Sequence, residues 1–141
     1  MRPLVRPLDL APGWVPNYTK LACDAASAVW LLGQVNQIEV IERNIREKVV
    51  APDFRYPMQD GRLSLAGLCA LQGRYEEAAD CFAKARAGLE EQGARPLRAI
   101  ADFDEALMCL RRNAEGDRQQ ARPLLTAAIM QFRALGRTGW L

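Results

Sequence analysis

Residues 60–93 read DGRLSLAGLCALQGRYEEAADCFAKARAGLEEQG, and this stretch decides the fold. Two helical periods flank Gln72-Gly73-Arg74. The first, from about Met58 to Leu71, is apolar nearly all round: Leu63, Leu65, Ala66, Leu68, Cys69, Ala70 and Leu71. A helix of that kind must be covered on more than one side. The second, from Arg74 to about Glu91, is amphipathic. Tyr75, Ala78, Ala79, Phe82, Ala85 and Leu89 point inward, while Glu76, Glu77, Asp80, Lys84 and Arg86 point mostly outward. Gly93 closes it. The stretch is therefore an antiparallel helical hairpin.

The flanking chain reads as looser copies. Toward the N-terminus, a helix is predicted from about Tyr18 to Leu32, with Asn17 or Thr19 as N-cap and Gly33 as the stop. Its inward face is Tyr18, Leu21, Ala22, Ala25, Val29 and Leu32. A second helix is predicted from Asn36, where N-x-x-E with Glu39 resembles a capping box. Its stripe is Ile38, Ile41, Ile45 and Val49. Glu39/Arg43 and Glu42/Arg46 are i,i+4 pairs that mark a solvated face, and Pro52 ends the helix before a loop at Ala51–Pro57.

Beyond the hairpin, Pro96 suits the first turn of a fifth helix with the stripe Ile100, Phe103, Ala106 or Leu107, and Leu110. Asn113 is its left-handed cap. A sixth helix carries Ala121, Leu124, Leu125, Ala128, Phe132 and Leu135, ending at Gly136. Pro123 argues that it starts near Gln120 or Ala121 rather than at Arg118. Residues 1–16 hold Pro3, Pro7, Pro12 and Pro16 and read as an extended segment. Leu8, Leu10 and Trp14 either dock that segment on the first helix or belong to a disordered lead-in. No stretch alternates as a strand would.

Gly33, Gly73 and Gly116 each separate a first from a second helix, at intervals of 40 and 43 residues. Such a period in helical pairs is the mark of an α-solenoid. The central unit resembles the tetratricopeptide-repeat family. Ala66 takes the small position on the first helix, Gly73 and Tyr75 the turn, and Ala78, Phe82 and Ala85 the small–aromatic–small positions of the second. The last unit keeps Ala121, Leu125 and Ala128, with Ala106 as a first-helix partner. The first keeps Ala26 and Gly33 but has Ile38 where the family has Ala. The usual terminal proline is absent and the period exceeds the usual ~34.

The resemblance covers roughly residues 17–141, with units at about 17–51, 57–93 and 95–136. It implies an all-α fold: about six helices in antiparallel pairs, stacked as a short right-handed solenoid. Residues 78–140, ending ARPLLTAAIMQFRALGRTGW, are also similar to the helical-repeat regions of large bacterial signalling proteins that carry an ATPase, a cyclase or a DNA-binding output domain. No G-x-x-x-x-G-K-[ST] phosphate loop is present.

Composition narrows the function classes. The net charge of +2 is too small to argue for nucleic acid or an anionic membrane. Arg111, Arg112, Arg118, Arg122, Arg133 and Arg137 come without an aromatic stacking platform. With no histidine, the commonest general base and metal ligand is missing. Cys23, Cys69, Cys81 and Cys109 form no C-x-x-C pair and read as small buried hydrophobes. Asp102, Asp104 and Glu105 read as a solvated face, since Asp102 and Asp104 are two apart on a helix. No signal peptide and no run approaching ~20 apolar residues is visible, so a cytoplasmic chain with reduced thiols is expected.

The family resemblance implies a concave groove lined by the first helices. It places Lys20, Asp24, Ser27 and Trp30 in the groove, then Leu63, Gly67, Ala70 and Leu71, then Phe103, Asp104, Leu107 and Arg111. An apolar or helical protein segment would fit there. The expected function is a protein-interaction module, a scaffold or regulatory part of a bacterial signalling system, with no catalytic, cofactor or metal site. Three alternatives stand beside it: a structural or oligomerisation element, self-associating as a homodimer through exposed repeat ends; a truncated fragment of a larger regulator; and an enzyme or small-molecule receptor with a pocket between helices. Arg137 to Leu141 reads as a turn toward a further helix.

Overall fold

The structure, a computed structural model, describes residues 15–51 and 60–136, with side chains from residue 21 onward. Among the described residues every regular element is helical. They are α1 (Val15–Leu32), α2 (Ile38–Ile45), which continues as a π-helical turn (Arg46–Val50), α3 (Gly61–Leu71), α4 (Tyr75–Glu91), α5 (Arg95–Arg112) and α6 (Asp117–Ala134). None of the described helices is long and apolar enough to cross a membrane. The chain forms two compact units, Met1–Cys81 and Phe82–Leu141, whose boundary falls inside α4.

In the first unit α1 packs on both α2 and α3, and α2 packs on α3. The helix expected to be apolar all round is α3, buried from Gly61 to Ala70 except at Arg62 and Ser64. It is covered by α1, α2 and the π turn together. Its start is set by Asp60, in extended conformation, whose Oδ1 accepts from the amides of Arg62 at 2.9 Å and Leu63 at 3.2 Å. The expected start at Met58 lies outside the described residues. Gly73 ends the α3 turn with φ +77, a left-handed conformation that costs L-residues. There Gly73 N donates to Ala70 O and Arg74 N to Cys69 O, satisfying the last carbonyls of α3. Gly33 closes α1 in the same way, with Gln34 N on Val29 O.

Several expectations need correction, among them Ala79 of α4 and Leu110 of α5, which were read as inward and are exposed. The first helix begins at Val15, not Tyr18, so Pro16 sits in its first turn, where its missing amide is tolerated. The buried face of α1 is also rotated. Ala22, Ala25 and Val29 face the core as read, joined by Cys23, Ala26 and Trp30, whereas Leu21 is 40% exposed and Leu32 69%. Small residues let α1 approach its neighbours closely, and the leucines are left outside. No capping box forms at Asn36; α2 starts after Gln37, left-handed at φ 61, without a side-chain cap. Finally, the last helix starts at Asp117 and runs through Pro123. The Asp117 carboxylate accepts from Ala114 N at 2.7 Å and Arg112 Nε at 2.9 Å, which anchors the early start. The amide that Pro123 lacks would have bonded the carbonyl of Gln119; both residues are exposed, so water can serve that carbonyl.

The second unit is built on α5 against α6. Ala99, Ala128 and Phe132 form its buried centre, with Ile100 and Phe103 packed on it. Asn113 ends α5 in the left-handed conformation expected of it, φ 53.

The π turn meets α3 where the latter has no side chain. A Cβ on Gly61 would lie 2.6 Å from Cγ1 of Val49, a stiff β-branched side chain that is itself fully buried. Gly61→Ala is therefore expected to lose about 1–3 kcal/mol in urea unfolding, despite the better helix propensity of alanine. Val49→Ala in the same chain should recover part of that loss; a single variant as stable as wild type would contradict the contact.

Candidate functional site

The residues assigned to a groove do not share one environment. Trp30 is 4% exposed, and Leu63, Gly67 and Ala70 are buried with it in the core of the first unit. The Trp30 indole lies over Gly67, where a Cβ would come 3.0 Å from its Cγ. These four are packing groups, closed to a partner, because Trp30 fills the space that Gly67 leaves. Asp24 and Ser27 are exposed on α1, Leu71 is half-buried at the end of α3, and the Lys20 side chain lies outside the described ones. In the second unit Phe103, Asp104 and Leu107 are half-buried on α5, and Arg111 is exposed.

The outward arc of α1 carries more apolar surface than the sequence reading placed there. At 100° per residue Ser27, Leu31, Asp24, Ala28, Leu21 and Leu32 follow one another around the exposed side. Leu31 is 52% exposed, and Val35, beyond the end of α1, 57%. From Leu21 to Leu32 the arc spans three turns, about 16 Å.

The charged groups of the first unit converge on Glu42. Its carboxylate accepts from Arg46 Nε at 3.0 Å, from Gln72 Nε2 at 2.8 Å and from Arg74 Nη2. Arg46 also binds Glu77, and Arg74 Nη1 reaches Glu77 at 2.6 Å. Burial opposes ionisation of Glu42, but the hydrogen bonds from Arg74, Gln72 and Arg46 outweigh it and hold the carboxyl below its ordinary range. The Arg46 bond does the same for Glu77. Glu42/Arg46 is thus not a solvated pair but a clamp between the end of α2 and the α3–α4 turn. With its acceptor sites saturated, Glu42 is fitted to hold helices, not to carry protons.

Beside this clamp, Arg46 Nη2 lies 3.7 Å from Sγ of Cys69. A hydrogen bond to Cys81 and burial push the Cys69 thiol up. Burial likewise raises Cys23 and Cys109. All four cysteines are buried free thiols, as expected.

A second network corrects another expectation. Asp102 and Glu105 are buried, not solvated. Asp102 Oδ1 accepts from Arg86 Nε at 3.0 Å and Arg98 Nη1 at 2.6 Å; Glu105 accepts from Arg86 Nη2, and Glu90 pairs with Arg98 at 3.0 Å. The available signal was the interleaving of Ala101, Asp102, Glu105, Ala106 and Cys109, small and acidic residues on one face. It is masked by the Ile100–Phe103–Leu107 stripe, which is only half-buried. Near this network Leu89, Glu90, Gly93, Arg95, Arg98 and Gln131 line an open cleft of about 310 Å³. The Arg98 charge there is met by Glu90 and Asp102, while Arg95 is exposed. Among the described residues no three metal-ligating side chains converge.

Comparison with known proteins yields no matching family model, no matching curated protein and no matching solved structure.

Removing one partner from a buried network leaves a charge without donors. Arg86→Met is expected to destabilise the fold by about 3 kcal/mol in urea unfolding, and Glu105→Leu in the same chain should recover part of it. Because Glu42 is held below its unfolded value, its contribution is complete above about pH 5 and is lost as the pH falls through about 4.3 and lower. Glu42→Gln should flatten the acid limb of a stability–pH profile; an unchanged limb would show that other carboxylates set it.

Proposed function

We propose that the chain is a protein-interaction module of tetratricopeptide-like helical pairs that docks an apolar helical segment of a partner protein. The observation that carries this reading is the outward arc of α1. Leu21, Ala28, Leu31 and Leu32 remain in water after the inner face of the helix is satisfied. A surface helix ordinarily presents charge on that side. A partner helix read at i, i+3, i+4 and i+7 meets such an arc directly, and each Å² of apolar surface it covers contributes roughly 25 cal/mol. Ser27, at one edge of the arc, and Asp24, between Leu31 and Ala28, would orient the segment. Leu71, on the neighbouring α3 of the same unit, is half-buried.

Further features support the tetratricopeptide-like arrangement. Ala66, Ala78, Phe82 and Ala85 are all fully buried, and Gly33, Gly73 and Gly116 take positive φ between helices. The proposed role is binding without catalysis or cofactor, in the cytoplasm, as a scaffold or regulatory part of a bacterial signalling protein. That last element rests on the likeness of residues 78–140 to helical-repeat regions of such proteins.

Selection of displayed helical peptides on the wild-type chain, followed by measurement on Leu31→Glu/Leu32→Glu, tests the proposal. Peptides with an apolar i, i+3, i+4, i+7 stripe should be enriched and should bind the variant at least tenfold more weakly, with both proteins monomeric and equally helical. No enrichment, or unchanged binding, would overturn it. A concentration-dependent dimer of the wild type that the variant abolishes would replace it with self-association.

A further inference from the structure

The outer face of α6 is a separate surface in the second unit. Its inner face, Ala121, Ala128 and Phe132, is spent against Ala99 and the α5 aromatic and aliphatic side chains around it. At 100° per residue, Arg118, Ile129, Arg122 and Arg133 fall within about 60° of arc, a straight strip some 22 Å long. Met130 flanks it at 65% exposure, and Ile129 is 37% exposed. All three arginines are exposed.

Among the described residues, no ion pair involves the three arginines of this strip. Among the described residues, Arg46, Arg74, Arg86, Arg98 and Arg112 are held in ion pairs. None of the described acidic side chains reaches Arg118, Arg122 or Arg133. The only carboxylate of α6 is Asp117, and it is turned to Arg112. Two of the placements run against helix physics. Arg118 sits in the first turn, at the positive end of the helix dipole, and Arg118 and Arg122 are like charges at i,i+4. Locally unfavourable charge with an apolar centre is what a surface built for an anionic partner carries.

We infer that Arg118, Arg122, Ile129, Met130 and Arg133 form a docking strip for an acidic amphipathic helix of a partner protein. Carboxylates at the two ends of about four turns would take bidentate bonds from the guanidinium groups, and an apolar residue between them would cover Ile129 and the adaptable Met130. A membrane fits less well. The broad apolar face that would enter lipid is already packed on α5, leaving two apolar side chains outside. Nucleic acid also fits less well, because no aromatic side chain accompanies the three arginines on this face.

The inference goes beyond the α1 surface proposed above, and the two can fail separately. The probe is a stapled synthetic helix of about four turns with glutamates near both ends and leucines between, followed by fluorescence anisotropy on the full chain. It should bind in the micromolar range, more weakly as salt rises. Arg118→Glu/Arg122→Glu, and independently the milder Arg133→Gln, should weaken binding at least tenfold and about threefold respectively. Leu31→Glu/Leu32→Glu should leave it unchanged. An otherwise identical helix with lysines in place of glutamates should not bind. The inference is overturned if the acidic helix fails to bind, or if binding survives the arginine substitutions in proteins of unchanged helicity. It is also overturned if phosphatidylserine vesicles or a short DNA duplex bind more tightly than the helix and lose that binding in the same variants.

Discussion

A carboxylate removed from water must be given donors, and Glu42 is given three. One donor comes from the next turn of its own helix and two from the α3–α4 turn about thirty residues on, the residue that follows α3 and the residue before α4. Satisfying one side chain therefore fixes the end of α2 against the α3–α4 turn. Arg46 is at once a member of this clamp and the first residue of the π turn. The turn in turn delivers Val49 onto the bare backbone of Gly61, and α3 begins there because Asp60 caps it. Clamp, π turn and helix start form one chain of dependence, and none of them is a matter of local propensity alone.

The second unit uses the same solution with different residues. Asp102 lies on the buried side of α5 and draws Arg86 and Arg98 onto it. Such networks add less to net stability than their number of bonds implies, since taking the ions out of water is costly. Their geometry belongs to one register: rotating or sliding α5 would part Asp102 from Arg86.

The helices were legible in the sequence wherever a terminating signal coincided with the apolar period. Gly33, Gly73, Gly93 and Asn113 all end helices as read, and each takes a positive φ. The rotation of each helix about its axis was harder to read. On α1 the leucines outrank alanine and cysteine by hydrophobicity, yet the small residues won the core because close approach to α3 rewards them. Trp30 was assigned to an open surface on family resemblance, and it is Gly67, one helix away, that makes room for it inside. Asp102 and Glu42 were read as solvated because ionisable groups usually are; besides an i,i+4 arginine, each has a partner 16 or 32 residues away, which no local window spans. Pro123 misled in the other direction: a proline inside a helix is costly, but the exposed Gln119 carbonyl can turn to water and the Asp117 carboxylate anchors the earlier start.

The four buried thiols give the molecule an internal clock. Cys23, Cys69 and Cys81 lie in the first unit and Cys109 in the second, all buried, Cys81 least completely, and all lacking a disulfide. A thiol in that state reacts with an alkylating reagent only while its surroundings are open. The rate at which each cysteine is labelled under native conditions thus reports how often its neighbourhood opens. The packing that hides the sulfur atoms makes the chain a recorder of its own local stability, with a separate channel for each unit.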